Sequence, residues 1–187
     1  MEKNLFLQLL RAGKARLTDD GLIISLGEAV MMMPVRTFLF MQSQVIHELG
    51  KRGKRVLFNI GYYQSNEAVK RYVKEHVLDI KRVNKEKLFN FFLKLSSMLG
   101  LGVFEVIHLD FEEKKLIIRN SNLPTAKLYL LTRGKSKTPI DCYICGLFVG
   151  GFSPLFEVEL ECLETKCIAC GDPYCQFELR PKKAAKR

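Results

Sequence analysis

Residues 157–179, EVELECLETKCIACGDPYCQFEL, alternate with period two at both ends. Val158, Leu160 and Cys162 interleave with Glu157, Glu159 and Glu161, the pattern of a strand with one buried and one wet face. From Tyr174 to Leu179 the alternation returns, with Cys175, Phe177 and Leu179 on one side and Gln176 and Glu178 on the other. Gly171-Asp172-Pro173 between them is turn chemistry, since glycine supplies positive φ and proline presets its own. The stretch is therefore expected to be a β-hairpin. Extending the first strand past Cys162 places Glu164 inward beside Leu160, and a carboxylate facing a core is too costly to leave unpaired. Something cationic should meet it.

Cys167 and Cys170 stand at CxxC spacing at the mouth of this hairpin, with Cys175 five residues on. Thiolates so spaced can hold one soft or borderline metal ion, and a tight loop between strands is a common frame for zinc. A fourth group must come from elsewhere, and Cys142 and Cys145 are the available donors. All six cysteines fall between Cys142 and Cys175 in a chain large enough to fold without cross-links, which favours metal binding over a disulfide framework.

The chain has 187 residues, 48% of them hydrophobic, enough for one sizeable core and a single domain. Residues 1–181 are read as that domain, with 1–20 as a candidate dimer arm and 182–187 as a basic tail. No apolar run reaches the length of a membrane span, and MEKNLFLQLLRAGK lacks the apolar core and cleavage site of a signal peptide, so the expected location is cytoplasmic. Four of the formal +10 charges lie in PKKAAKR at residues 181–187, and Lys51, Arg52, Lys54 and Arg55 surround Gly53. Without a helix-turn-helix or RNA-binding signature these read as solvated surface, and nucleic acid is not an expected partner. His47, His76 and His108 are scattered, no nucleophile motif accompanies them, and no phosphate-cradling glycine loop is present.

Along the chain, Arg16-Leu17, Leu22–Ser25 and Ala29–Met33 read as short strands punctuated by Asp20-Gly21 and Gly27. A helix is expected from Pro34 to Gly50, and a longer one from Lys54 to Asp79 with a kink at Gly61. Asn84 is a good N-cap for a third helix, whose stripe is Leu88, Phe91, Phe92, Leu95 and Leu99. Val103–Phe111 and Lys115–Arg119 read as a second hairpin, and Leu128–Leu131 as another short strand. Thr138 and Pro139 predict the start of a final helix, with Asp141 in its acid-favouring first turn. Gly146, Gly150 and Gly151 in that apolar helix point to close packing against a neighbour, because each costs up to about 1 kcal/mol relative to alanine.

CYICGLFVGG, then a strand, then Glu164, Cys167, Cys175 and Phe177 in the order E-x-x-C-(7)-C-x-F with GDP before the last cysteine, resembles the 4-vinyl reductase or hydrocarbon-binding domain family. The close resemblance covers about forty residues. It implies an α+β fold with an antiparallel sheet packed against helices, similar to that of trafficking-complex subunits and nitric-oxide-binding haem domains. It also implies a homodimer, a structural zinc, and a cavity for a small apolar or aromatic ligand. By motif position Cys167 and Cys175 match two family zinc ligands, and Glu164 matches a carboxylate that can be the third. The family's first cysteine falls here on Asp141, one place before Cys142. Thiolate suits zinc better and Asp141 has a role in the helix's first turn, so the expected set is Cys142, Glu164, Cys167 and Cys175, with Asp141, Cys145 or Cys170 as possible replacements. The function expected is non-catalytic binding or sensing of a hydrophobic small molecule. The alternative is an enzyme, or an accessory protein, acting on a hydrophobic tetrapyrrole- or vinyl-type substrate. The aromatic segments Phe38–Phe40, Phe89–Phe92 and Phe104–Phe111 are the expected cavity walls, with His108 as an orienting polar group.

Overall fold

The computed structural model describes residues 10–75 and 84–183. His76 and the second half of the expected long-helix stripe lie outside the described residues. The chain opens with a three-stranded antiparallel meander, β1 (Ala15–Leu17), β2 (Ile23–Ser25) and β3 (Glu28–Val30). Helices α1 (Val35–Leu49) and α2 (Lys51–Glu75) follow, then α3 (Lys85–Ser96), which ends in a π-helical turn over Ser97–Leu101. A hairpin of β4 (Glu105–Asp110) and β5 (Lys115–Asn120) leads to α4 (Pro124–Arg133) and α5 (Cys142–Phe156). The chain closes with β6 (Leu160–Lys166), a 3₁₀ turn at Ile168–Cys170, and β7 (Cys175–Pro181).

The second sheet is antiparallel throughout, in the order β4-β5-β7-β6. Leu116 and Ile118 of β5, Phe177 and Leu179 of β7 and Leu160 of β6 are buried on one face. The other face is polar: Arg119 donates to Gln176, and Thr165 donates to Glu178. Alternation is enough to set this register, because a one-residue slip would put every apolar side chain in water. The fold is thus α+β, with an antiparallel sheet packed on helices.

Helix α5 lies in the middle of the molecule and is buried along nearly its whole length. Phe148 stacks with Phe152 and meets Phe104 and Phe177 edge-on, joining helix to sheet. On its other side α5 crosses α2 with backbones almost touching. A Cβ on Gly146 would stand 2.0 Å from the Phe58 carbonyl oxygen, one on Gly150 2.1 Å from that of Tyr62, and one on Gly61 2.2 Å from that of Tyr143. The expected close packing is present, and it explains Gly61: α2 runs unbroken through it, and the glycine makes room for α5 where a kink was expected.

Two other expectations are corrected. Leu128–Leu131 is helical, within α4: Pro124 sits at the first turn, and Ala126, Tyr129, Leu130 and Arg133 follow the helical period. A short apolar run cannot be assigned by periodicity alone. The last helix starts at Cys142 and not near Thr138, with Asp141 at its N-cap.

Candidate metal centre and ligand cavity

Asp141, Glu164, Cys167 and Cys175 are all buried and present one ligand atom each, all within 4.8 Å of one another. Strand alternation brings Glu164 inward, opposite Phe177 of β7. A register shift after Glu164 then lets the chain turn so that Cys167 faces the same point, and β7 returns with Cys175. The loop is held by its own acid, since Cys167 N–H donates to the Asp172 carboxylate at 2.9 Å. Asp141 enters from the start of α5. Its carboxylate makes no capping bond to the helix; Oδ1 accepts from the Thr125 hydroxyl at 2.9 Å, and Oδ2 faces the sulfurs of Cys167 at 3.9 Å and Cys175 at 3.8 Å.

The electrostatics of this cluster lack a cation. Glu164 Oε2 accepts from the Asp141 backbone N–H at 2.9 Å, while Oε1 is buried with no hydrogen-bond partner. Among the described residues no lysine or arginine hydrogen-bonds or ion-pairs with Glu164 or Asp141, so the cationic side chain expected opposite Glu164 is not there. Burial, then the neighbouring Cys167 charge, pushes Glu164 up to about 8. Burial and the Glu164 charge hold Asp141 well above the usual carboxylate range. Of the two thiols, Cys167 gives up its proton first, lowered to about 6 chiefly by the Cys175 hydrogen bond, which holds Cys175 protonated far longer. Two oxygens and two sulfurs around one point, with an orphaned buried carboxylate oxygen, suit a divalent metal ion.

Cys142, expected as the fourth ligand, is outside this group; it is half-buried next to Asp141, and burial pushes its thiol up to about 11. Cys145 faces Cys162, and Cys170 sits partly exposed in the 3₁₀ turn. The signal for Asp141 was the family spacing; what outweighed it, the local role assigned to Asp141, is not one its side chain performs.

One turn further along α5 a cavity of about 380 Å³ opens. It is walled by Phe38, Val69, Phe92, Leu95, Phe148 and Phe152, among others, and its polar groups are Gln64, Ser65, Ser96, Thr125 and Tyr143. The Tyr143 hydroxyl donates to Gln64 Oε1 at 2.5 Å. Met31 also lines the cavity and is 78% exposed, so the cavity reaches the surface there. Of the expected aromatic walls, Phe38 and Phe92 line it. Phe89 and Phe104 are core, Phe40 is exposed, and Phe111 packs on Phe156. His108 does not line it; it lies on β4, with Nε2 buried and unpartnered, grouped with Asp110 and Glu113. Thr125 belongs to both sites, lining the cavity and bonding Asp141.

Fold and site together define a mixed α/β domain with an internal apolar cavity beside a buried thiol and carboxylate cluster. Residues 128–181 match the family model of the vinyl-4-reductase domain, and the chain carries that domain over this stretch. It is 24% identical over 126 residues to an uncharacterized protein of Methanocaldococcus jannaschii, a match spanning 65% of this chain and 61% of that protein's length. The phenol-responsive sensory domain of the transcription activator PoxR, solved with phenol, superposes with TM-score 0.75 at 14% identity, over 97% of this chain and 92% of that one. A trafficking protein particle complex subunit 3 from Naegleria fowleri, covalently bound to palmitic acid, gives 0.56 at 15% identity over 82% and 98%. A vinyl-4-reductase family protein of Methanocaldococcus jannaschii gives 0.54 at 18% identity over 82% and 85%. At these identities the structures share the fold. Among the described residues no helix is long and apolar enough to cross a membrane.

Proposed function

We propose that this chain is a non-catalytic sensory domain that binds a small hydrophobic molecule in the α5 cavity, with a structural zinc at Asp141, Glu164, Cys167 and Cys175. The observation that carries the reading is the cavity itself, mostly apolar with a few polar groups, the usual composition of a small-molecule site. Its likeness in fold to a phenol-responsive sensory domain supports it. Four protein ligands would close the metal site, which favours a structural over a catalytic ion. Bound there, the ion would tie the β6–β7 hairpin to the start of α5 and neutralise the carboxylates; this chain's own part is to orient them through Thr125 and the Asp141 backbone.

A homodimer is part of the proposal. Leu17, Met32, Phe40, Ile60 and Tyr63 are large apolar side chains left exposed on the first sheet, α1 and α2, more than scattered single residues explain. Light scattering should give twice the 21.5 kDa chain mass at micromolar concentration, and a monomer mass would refute the dimer. Ligand binding is tested by thermal shift against a panel of apolar and aromatic compounds, because a ligand that binds only the folded state raises Tm in a concentration-dependent way. No shift across the panel, with a structure showing the cavity filled by side chains, would leave a scaffold role only.

A further inference from the structure

Two cysteines stand apart from the metal cluster and face each other across the seam between α5 and β6. Cys145 Sγ lies 2.9 Å from Cys162 Sγ, less than about 1 Å longer than a covalent S–S bond. Both are free thiols. They are not equivalent: Cys145 is buried on α5, whereas Cys162, on β6, is partly exposed. A sulfur that solvent reaches, touching one that it does not, is the arrangement of an attacked thiol and its resolving partner. Neither has a role in the cavity or in the cluster.

We propose that Cys145 and Cys162 are a modification site, an intrachain disulfide made by a peroxide, which locks α5 onto β6. In the first step the peroxide converts the Cys162 thiol to a sulfenic acid and one water leaves. In the second, Cys145 Sγ attacks the sulfenic sulfur; the S–O bond breaks, the S–S bond forms and a second water leaves. Two thiols thus give two electrons to one peroxide, and a dithiol reductant reverses the change. Burial of Cys145, with its hydrogen bond to Cys162, slows attack, so the link forms under sustained oxidant and not on brief exposure.

The position of the link gives it a consequence. Helix α5 carries Asp141 at its start and cavity-lining Tyr143 and Leu147 close by, while β6 carries Glu164 two residues after Cys162. Joining the two elements fixes one carboxylate of the cluster against the other and holds one cavity wall to the sheet. The two cysteines are 17 residues apart in sequence, a loop long enough for the cross-link to restrict the unfolded chain appreciably.

The test uses the full chain loaded with zinc and treated with hydrogen peroxide, followed by intact-mass measurement, peptide mapping and a melting curve. Expected are a loss of two hydrogens, a single Cys145–Cys162 peptide link, four of the six thiols still titratable after denaturation, and a Tm raised by about 5–10 °C that dithiothreitol abolishes. Because Cys145→Ser alters a buried site, the control is Cys162→Ala, which should melt like the reduced wild type and show no peroxide-dependent rise. Six thiols remaining, a link involving another cysteine, or Cys162 over-oxidised without a link would overturn the proposal. The readout does not depend on the sensory reading of the cavity.

Discussion

Helix α5 serves two regions of opposite chemistry within two turns of each other. At its first turn, four buried groups that become anionic on ionisation converge with no protein cation to balance them. One turn on, Tyr143, Leu147 and Phe148 wall a mostly apolar cavity. The cluster draws three of its four groups from one hairpin, Glu164 to Cys175, so its geometry follows from strand register and one loop. The cavity takes walls from the segment before α1, from α1 to α5 and from the π turn, so its geometry follows from how helices cross. A site made by one hairpin fails when a single atom is lost. A site made by packing fails when the spacing between elements changes.

The largest effect should come from changing that spacing. Gly146→Ala would drive a methyl group to 2.0 Å from the Phe58 carbonyl, and backbone cannot yield as a side chain can. We expect a loss of roughly 3 kcal/mol or more in urea unfolding, with the cavity disturbed and the hairpin less so. Stability within about 0.5 kcal/mol of wild type would show that α2 and α5 are not held at this distance.

Removing one atom from the other region comes next. Cys175→Ser should abolish zinc retention and lower Tm in the presence of zinc by about 10 °C, because binding energy in such a site is folding energy. Full zinc occupancy in this variant, read by elemental analysis, would break the distinction drawn between the two regions.

Metal removal should expose the sign of the cluster's electrostatics. Glu164 is raised from 4.5 to about 8 in the folded chain, so the fold holds a proton that the unfolded chain has released. Stability of the metal-free protein should therefore fall as pH rises from 4.5, and most clearly up to 6. Above 6 the lowered Cys167 acts in the opposite direction and blunts the fall. Zinc should reverse the slope, since its ligands must lose protons to bind it. Urea titrations at about pH 5 and 6, with chelator and with zinc, check this; a metal-free protein more stable at the higher of the two pH values would contradict it.

The smallest effect falls on the residue shared by both regions. Thr125→Val keeps the shape of the cavity wall but removes the hydroxyl that Asp141 accepts from, which should cost about 1 kcal/mol and weaken zinc binding measurably. Unchanged zinc affinity would mean that Asp141 is oriented without it.

The same contrast decides what could be read from the sequence. The hairpin, its inward Glu164 and the pairing of Cys167 with Cys175 follow from alternation and spacing, and the glycines of α5 announced a close crossing. The partner of that crossing was not legible, because Gly61 reads equally as a kink and as a contact. Nor was the cavity: Phe92 faces it while Phe89, three residues earlier, is core, a difference set by where α3 meets α5 and not by residue type. Asp141 was legible by family position but looked like a helix-cap acid, and only the three-dimensional path of Thr125 and the two thiols shows where its carboxylate points.

The most direct measurement is zinc stoichiometry by elemental analysis of three proteins prepared alike, wild type, Asp141→Asn and Cys142→Ser. The account predicts one zinc per chain in wild type and Cys142→Ser, and a large loss in Asp141→Asn. Full zinc in Asp141→Asn with loss in Cys142→Ser would contradict it, and so would wild-type protein without zinc.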